Sequence, residues 1–448
     1  MMALVVLNVV GLTPRLLPHM PAVRSVADHG FSAALETVFP AVTCSVQSSM
    51  LTGLLPRDHG IVGNGWYFRD LGEVFLWRQH NTLVQGSKVW DELSGTVANL
   101  CWWYAMGARV DWTVTPRPIY YADGRKEPDC YTYPAELHDD LVSRIGDFPL
   151  FTYWGPTASI ASSRWIIAAA GRMLLRHTPD LLLAYVPHLD YDLQRFGPGG
   201  GEAVSAAAQV DTALRPLIEL CRERGDQVLV VSEYGITGVS RPVNVNRALR
   251  RAGLLHVHTQ DGMEYLDPWT SRAFAVADHQ VAHVYVRDPV DLERTRAVLA
   301  ELPGVDLVLD AETKPAFGID HERAGDLVAV AEPDSWFTYY YWLDDAHAPD
   351  FARAVEIHRK PGYDPAELLF APGGKLRAAK ALLRKKTGMR YLMDVVPVDP
   401  SGVRGSHGRL PDTEADSPVL LCSDPSMAAE KYAATDVKQL ILRLRRGG

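Results

Sequence analysis

The sequence has few cysteines, no long apolar run and no excess of basic residues. Its five cysteines in 448 residues are odd in number and lack Cys-x-x-Cys spacing, which predicts neither a disulfide framework nor a structural zinc knot. Nowhere do about eighteen apolar residues follow one another, so no transmembrane helix is predicted. The short apolar run before Thr13 lacks a basic flank and a cleavage site, which is untypical of a signal peptide. These absences predict a cytoplasmic protein.

Acidic residues outnumber basic ones, 54 to 45, and the formal net charge is −9. The excess is scattered along the chain, which argues against nucleic-acid polymers and membranes as partners. The main basic run, RLRRGG at the C-terminus, is interpreted as a solvated helix end. With 47% hydrophobic residues the chain can bury a large core, and its length predicts one large domain with an insertion, or two domains.

Apolar, β-branched runs alternate with helical patterns along most of the chain. The first run, Ala3–Val10, ends before Gly11 and is typical of a strand buried on both faces. Five more runs of this kind occupy residues 97–104, 180–186, 227–234, 282–288 and 326–332. Strands that alternate with helices predict βαβ units. The predicted fold class is therefore α/β, with a mostly parallel sheet sandwiched between helices on both faces.

Two aromatic, proline-rich segments interrupt this alternation. They are residues 111–157 and 336–371, and we interpret them as insertions or lids over the sheet because their aromatic side chains must pack somewhere. The predicted α/β core comprises residues 1–243 and 396–448. Residues 244–395 are expected to hold the remaining core strands and an inserted cap.

Polar side chains follow several of the predicted strands. Asp190 and Asp192 come after 180–186, Glu233 and Tyr234 end the run 227–234, and His407 lies in the turn GVRGSHG. In open α/β sheets, ligands bind beyond the carboxyl ends of the strands. The pattern therefore predicts a site built from segments that are far apart in the chain.

Each of these residues also has an ordinary structural explanation. A carboxylate in a turn more often caps a helix than binds a metal, and a lone histidine such as His407 is more often structural. Glu233 and Tyr234 can satisfy one another at the rim of a sheet. Thr43, or Ser45 in its place, is a candidate N-cap for the helix predicted to follow it.

The stretch FPAVTCSVQSSMLTGLLPRDHGIVGN, Phe39 to Asn64, carries a more specific signal. It contains, in order, Phe39-Pro40, Thr43, Thr52-Gly53-Leu54, Pro56, His59-Gly60-Ile61 and Asn64. This order and spacing resemble the nucleotide pyrophosphatase/phosphodiesterase branch of the alkaline phosphatase superfamily. The resemblance implies an alkaline phosphatase-like fold, with Thr43 as nucleophile and Asn64 as hydrogen-bond donor to a phosphate oxygen in the transition state. A helix that begins at Thr43 suits this role, because its N-terminus attracts an anionic phosphoryl group.

The resemblance also implies a divalent metal cofactor, with zinc as the implied element and one or two ions bound by Asp and His. The first aspartate of the family falls on Val10, and Asn8 lies two residues earlier on the same strand face. The remaining family ligands fall, in chain order, on Asp190, Gln194, Glu233, Tyr234 and His407. These five residues and Asn8 are the candidate metal ligands. Three positions, Val10, Gln194 and Tyr234, depart from the family, and replacing imidazoles by Gln and Tyr weakens zinc binding.

Three functions follow from this pattern. The favoured one is a metal-dependent phosphoester hydrolase, phosphodiesterase or nucleotide pyrophosphatase-like, with a threonine nucleophile. Its metal would be a harder ion on side-chain oxygens, including that of Asp192, or would recruit further imidazoles. The histidines considered for that role are His188, His279, His283, His321 and His358. The second is a different transfer or an isomerisation, and the runner-up is a catalytically degenerate or repurposed member that binds a phosphorylated metabolite or a partner.

The expected substrate is a phosphorylated small molecule or a nucleotide-like compound. Aromatic residues near the motif, within 66–68 and 102–104 and at Trp77, can stack on a base or another flat group, although core packing is the commoner role of such side chains. The sequence makes no prediction of the oligomeric state.

Overall fold

A computed structural model describes residues 2–122 and 125–447, so Asp123 and Gly124 of the segment 111–157 lie outside the described residues. The strands, in chain order, are β1 Leu4–Val9, β2 Phe31–Glu36, β3 Gly65–Phe68, β4 Glu73–Leu76, β5 Val97–Leu100, β6 Trp112–Pro116, β7 Ile119–Tyr120, β8 Lys126–Glu127, β9 Cys130–Tyr133, β10 Leu181–Val186, β11 Gln227–Val231, β12 Thr237–Gly238, β13 Arg241–Val243, β14 Val257–Gln260, β15 Met263–Leu266, β16 Ala273–Asp278, β17 Val281–Val286, β18 Val305–Leu309, β19 Leu327–Ala331, β20 Ser335–Phe337, β21 Gly405–Ser406, β22 Val419–Cys422 and β23 Lys431–Ala433.

The α-helices, in chain order, are α1 Pro21–Arg24, α2 Thr43–Thr52, α3 Pro56–His59, α4 Val89–Glu92, α5 Glu136–Ile145, α6 Ile160–Arg176, α7 His188–Phe196, α8 Gly201–Arg224, α9 Val245–Arg251, α10 Leu292–Ala300, α11 Gly374–Lys386 and α12 Val437–Gly447.

A nine-stranded sheet forms the centre of the molecule, in the order β23-β2-β22-β11-β1-β10-β5-β6-β9. Its middle is parallel: β1 pairs with β10 and β11, β10 with β5, and β5 with β6. Towards the edges, β22 and β9 run antiparallel to their neighbours. The prediction of a mostly parallel α/β sheet is confirmed.

The central strands are buried because helices cover the sheet. All six residues of β1 and all six of β10 are buried, as expected for apolar, β-branched strands with both faces covered. Helices α6 and α8 pack on one another and contact β10 and β11, whereas α12 contacts β1 and α2. The carboxyl ends of β1, β10 and β11 consequently open on one edge, where the loops and helices that follow them meet.

Residues 273–331 form a separate four-stranded antiparallel sheet, in the order β16-β17-β19-β18. It contains the runs 282–288 and 326–332, which the sequence predicted as strands of the main sheet. A fully buried strand has the same apolar pattern in either direction, so the pattern could not reveal the reversal. The reversal takes place at the turn between β16 and β17, where His279 adopts φ 61°. The division at residues 243 and 396 stays a prediction.

The structure bears on two further expectations. All five cysteines are buried and unpaired. Among the described residues, no helix combines the length and the apolar character needed to cross a membrane. The cytoplasmic location stays a prediction.

Candidate active site

The hydroxyl of Thr43 is free of the capping role that the sequence left open. Thr43 is the first residue of α2, and the N-cap is Val42, whose side chain accepts no capping bond. Ser45 donates instead to the carbonyl of Ile61 at 2.9 Å. The Oγ1 atom of Thr43 lies 2.9 Å from the phenolic oxygen of Tyr234, and Thr43 lines a cavity.

Asn64 stabilises the start of α2 from a distant part of the motif. Its Oδ1 accepts the backbone N–H of Cys44 at 3.0 Å. Its own backbone N–H and Nδ2 donate to the two carboxylate oxygens of Asp278, at 2.7 and 3.0 Å. Asn64 is buried, and it is not among the described residues that line the cavity.

Asp190 is connected to Thr43 through the hydroxyl of Tyr234. Its Oδ1 accepts the hydroxyl of Tyr234 at 3.3 Å, and its Oδ2 accepts the amide nitrogen of Gln194 at 2.8 Å. The Oε1 of Gln194 in turn accepts the hydroxyl of Tyr363 at 2.9 Å. Burial raises the pKa of Asp190 to about 7, although the bonds from Gln194 and Tyr234 lower it.

Glu233 lies on the other side of Thr43, enclosed by amides. Its Oε1 accepts Nδ2 of Asn8 at 2.6 Å and Nε2 of Gln47 at 2.7 Å. Gln47 follows Thr43 by four residues and therefore shares its helix face. The Oε2 atom has no partner among the described residues. Burial raises the pKa of Glu233 to about 8, against the lowering effect of Gln47 and Asn8.

Four aromatic rings that line the cavity contact one another in a row, with the outer two pairs stacked and the central pair tilted by 37°. The rings of Tyr234 and His407 lie 3.7 Å apart, those of His407 and His279 3.8 Å, and those of His279 and Tyr363 3.6 Å. The Nδ1 of His407 bonds to the carbonyl of Ala41, and its Nε2 is 3.7 Å from Oδ1 of Asp190. Burial lowers the pKa of His279 and of His407 well below the ordinary value, so both are neutral near pH 7.

The candidate ligands lie close together, but they do not fit two zinc ions. Catalytic zinc is held by three protein donors in a tetrahedral arrangement. Among the described residues, His, Cys, Asp and Glu nowhere form a group of three or more that could hold a metal ion. Val10 offers no donor atom, Gln194 turns its amide nitrogen towards Asp190, and Tyr234 stacks on His407. We therefore derive no catalytic step through a metal ion.

An aromatic cavity of about 200 Å³ opens above these residues. The lids predicted at 111–157 and 336–371 both contribute to its wall. The lining includes Trp77, Trp103, Pro116, Tyr120, Lys126, Phe151, Tyr153, Trp154, Tyr191, Val355, His358 and Tyr363. Of the aromatic residues singled out near the motif, Trp77 and Trp103 line the cavity, whereas Trp66, Trp102 and Tyr104 lie in the hydrophobic cores.

Among the histidines considered as recruits, His279 and His358 line the cavity. Sequence reasoning missed three participants: Gln47, Asp278 and Tyr363. Gln47 could have been found from the sequence, because it follows Thr43 by four residues and a helix places such residues on one face. Asp278, which accepts His279 Nδ1 at 2.7 Å, had only a weak signal in the Asp-His pair at a strand end. Tyr363 had none.

His59 of the motif makes the stability of the protein sensitive to acid. Its Nδ1 accepts the N–H of Ile61 at 3.1 Å, and its Nε2 lies 2.9 Å from Ser49 Oγ. Burial, aided by His321, lowers the pKa of His59 from 6.5 to about 3. Below pH 6.5 His59 is therefore protonated in the unfolded chain but stays neutral in the folded protein. The stabilisation is complete above pH 6.5 and falls as the pH drops towards 3, by about 2 kcal/mol at pH 5.

Urea unfolding of wild type and His59→Gln at pH 8 and pH 5 measures this contribution. We expect the wild type to lose about 2 kcal/mol more between the two pH values than the variant does. The other buried histidines act equally in both proteins, so the difference isolates His59. Equal losses would show that His59 titrates normally in the folded state.

The mostly parallel α/β sheet, with Thr43 at the start of α2 beyond it, is the arrangement that the family resemblance implied. The sequence model of the family described as type I phosphodiesterase/nucleotide pyrophosphatase matches residues 4–364. The chain belongs to that family, as the resemblance of Phe39–Asn64 predicted.

Individual relatives are distant. The chain is 25% identical over 232 residues to ectonucleotide pyrophosphatase/phosphodiesterase 1 of Saccharomyces cerevisiae, a match that covers 46% of this chain and 29% of the yeast protein. Phosphonoacetate hydrolase of Sinorhizobium meliloti, solved with phosphonoformate, superposes with a TM-score of 0.64 at 17% identity, over 99% of this chain and 96% of that one. Murine ectonucleotide pyrophosphatase/phosphodiesterase 5 superposes with a TM-score of 0.59 at 15% sequence identity, over 100% of this chain and 95% of that one. These likenesses confirm the alkaline phosphatase-like fold.

Proposed function

We propose that this protein is a phosphodiester hydrolase in which Thr43 is the nucleophile. The observation that carries the proposal is the position of the Thr43 hydroxyl, at the first turn of α2, on the wall of the cavity and 2.9 Å from Tyr234. Membership of the type I phosphodiesterase family supports phosphoester chemistry. The proposed substrate is a phosphorylated small molecule or a nucleotide-like compound with a flat or apolar group.

In the proposed reaction the Thr43 oxygen attacks phosphorus, and the bond from phosphorus to the departing alkoxide breaks. Water then cleaves the phosphothreonine ester and restores the hydroxyl. A route for the proton of Thr43 runs through the hydroxyl of Tyr234 to Oδ1 of Asp190, over 2.9 and 3.3 Å. The N-terminus of α2 favours the negative charge of the phosphoryl group.

Asn64 has two proposed tasks. Through the N–H of Cys44 it holds the first turn of α2, and Asp278 fixes its orientation. The amide nitrogen carries two hydrogens, of which one is donated to Asp278. The second is proposed to reach a phosphoryl oxygen as charge develops in the transition state, which requires substrate binding to make this buried amide accessible from the cavity.

The charges around Thr43 favour a diester over a monoester. Asp190 and Glu233 are carboxyl groups, and the neighbouring imidazoles are neutral. Among the described lining residues Lys126 is the one cation, and it pairs with Glu356 at 2.9 Å. A monoester carries a second negative charge near neutral pH, which repels the ionised form of Asp190 more strongly inside a cavity than in water, and Lys126 is already paired with Glu356. A diester keeps one charge and offers two organic groups to the aromatic wall.

A divalent ion, with zinc implied by the family resemblance, has no place in this proposal. The donors left at the family positions are Asp190, Glu233 and His407, and Glu233 is already bound by two amides. A site for one ion between Asp190 and His407 would need Gln194 to turn its oxygen away from Tyr363.

The proposal is tested with bis(p-nitrophenyl) phosphate and p-nitrophenyl phosphate as paired substrates. We expect release of p-nitrophenol from the diester with a kcat/KM at least about tenfold above that for the monoester. Asn64→Ala should lower the diester rate by roughly 100-fold, the usual effect of losing one oxyanion donor. A faster monoester would contradict the charge argument. No turnover of either ester would reject the hydrolase and leave the degenerate binder.

A further inference from the structure

The segment that contains α11 concentrates positive charge on an acidic protein. From Gly374 to Leu392 there are seven basic residues and no acidic one, although the chain as a whole carries a formal charge of −9. The basic residues are Lys375, Arg377, Lys380, Arg384, Lys385, Lys386 and Arg390. We call residues 374–392 the basic segment. Its local charge is opposite to that of the rest of the molecule.

One face of α11 lies on the protein. Gly374 and Ala381 are buried, and Ala378 and Lys385 are half-buried. Their spacing of four, three and four residues places them in one stripe along the helix. Three of the four side chains are very small or absent, so the helix approaches the protein closely on this face.

A second apolar stripe of α11 points away from the protein. Leu376, Ala379 and Leu383 follow one another at i, i+3 and i+7 and therefore share a face. At about 100° per residue, this face lies opposite the buried stripe. The side chains of Leu376 and Leu383 are 79% and 64% exposed. Isolated exposed leucines are common, but an outward row of them on a helix already packed by its other face lacks a structural role.

The cations flank this outward stripe. The 100° rotation places Lys375 and Lys386 on one side of Leu383, and Lys380 and Arg384 on the other. Among the described residues, Arg377 is the one member of the basic segment with a carboxylate partner, Asp394 at 3.8 Å. Beyond the helix, Met389 and Leu392 are also more than half exposed, at 52% and 59%.

We propose that the basic segment binds the surface of an anionic lipid bilayer. A short helix with an outward apolar stripe between rows of Lys and Arg lies in the plane of the headgroups, with its leucines among the acyl chains and its cations on the phosphates. Nucleic acid fits this face less well, because its stripe offers aliphatic side chains where bases require stacking or hydrogen-bonding groups.

The basic segment borders the wall of the cavity. Ala378 packs in one apolar cluster with Val355, Phe370, Val395 and Val396. Val355 also lines the cavity. A lipid surface that holds α11 therefore lies across the width of this helix from the segment that forms the wall. Attachment is a property of the surface and does not depend on which ester the cavity accepts.

Flotation of the purified full chain with vesicles tests the proposal. We expect the protein to float with phosphatidylcholine vesicles that contain phosphatidylglycerol, to stay behind with phosphatidylcholine alone, and to be released by salt. Two variants, Leu376→Asn/Leu383→Asn and Lys380→Glu/Lys386→Glu, should each reduce the bound fraction by about tenfold. The first removes the stripe and the second reverses flanking charges, so two independent changes probe one face.

Matched controls use residues of similar exposure elsewhere. Leu71→Asn/Leu175→Asn alters leucines that are 62% and 63% exposed, and Arg109→Glu/Arg144→Glu reverses two exposed charges. Both controls should float like the wild type. The proposal is overturned if wild type ignores anionic vesicles, if controls and test variants lose binding equally, or if polyuridylate or polyglutamate binds the segment while vesicles do not.

Discussion

Thr43→Ala is expected to abolish phosphodiester hydrolysis, with a fall in kcat/KM of roughly 1,000-fold or more. The substitution removes the proposed nucleophilic oxygen and leaves Tyr234 and Asp190 without the hydroxyl that connects them to phosphorus. Thr43→Ser keeps an oxygen at the same place and should retain measurable activity. The backbone N–H groups at the start of α2 are unchanged in both variants, so binding of the phosphoryl group should weaken less than turnover.

The matched control for this experiment is Thr52→Ala. Thr52 is buried in the same helix, but its hydroxyl donates to the carbonyl of Ser48 within α2. With bis(p-nitrophenyl) phosphate, we expect Thr52→Ala to keep the kcat/KM of the wild type and Thr43→Ala to show the whole loss. Acid-quenched wild type should also gain the mass of the phosphoryl adduct on the peptide that contains Thr43. Equal rates in Thr43→Ala and Thr52→Ala would reject Thr43 as nucleophile.

The part of the site that lies within one stretch of sequence could be predicted, because its geometry is local. Thr43 begins a helix, Gln47 lies one turn later on the same face, and Asn64 returns to the N–H of Cys44. The groups that complete the site arrive from remote segments. Asp278 accepts a hydrogen bond from Asn64, which lies 214 residues away in the chain. No sequence motif connects these two residues, so the contact could not be predicted.

The fold was predictable to a similar depth. Apolar runs marked β1, β10 and β11 as doubly covered strands, and the structure confirms them in the parallel centre. The same kind of run at β17 and β19 belongs to the antiparallel sheet, because the turn at His279 sets direction and apolar content does not. For charge, too, the total over the chain does not reveal the local arrangement. A total of −9 predicted no membrane partner, whereas the proposal for the basic segment depends on where cations lie on one helix.

Restoring the family ligands is expected to create a zinc centre that the wild type lacks. In Val10→Asp/Gln194→His/Tyr234→His, two imidazoles and a carboxylate join Asp190, Glu233 and His407. We expect about two zinc ions per chain, the number that the family pattern accommodates, against a substoichiometric amount in the wild type. Because even one outer partner of a metal ligand changes affinity 10–100-fold, three new ligands should raise it more than about 100-fold. The Tyr234 change also frees the space occupied by its stacked ring.

Metal content after dialysis against zinc, with competition against a coloured chelator, measures the number and the affinity. Zinc should also raise the melting temperature of the triple variant and leave that of the wild type unchanged, because a ligand that binds only the folded state stabilises it. Adding His407→Ala to the triple variant is the control, and it should reverse part of the increase in zinc affinity. Stoichiometric zinc in the wild type would contradict our conclusion that its side chains do not fit the metal. No gain in the triple variant would show instead that Val10, Gln194 and Tyr234 do not occupy the family's ligand positions, since binding then fails although every donor is present.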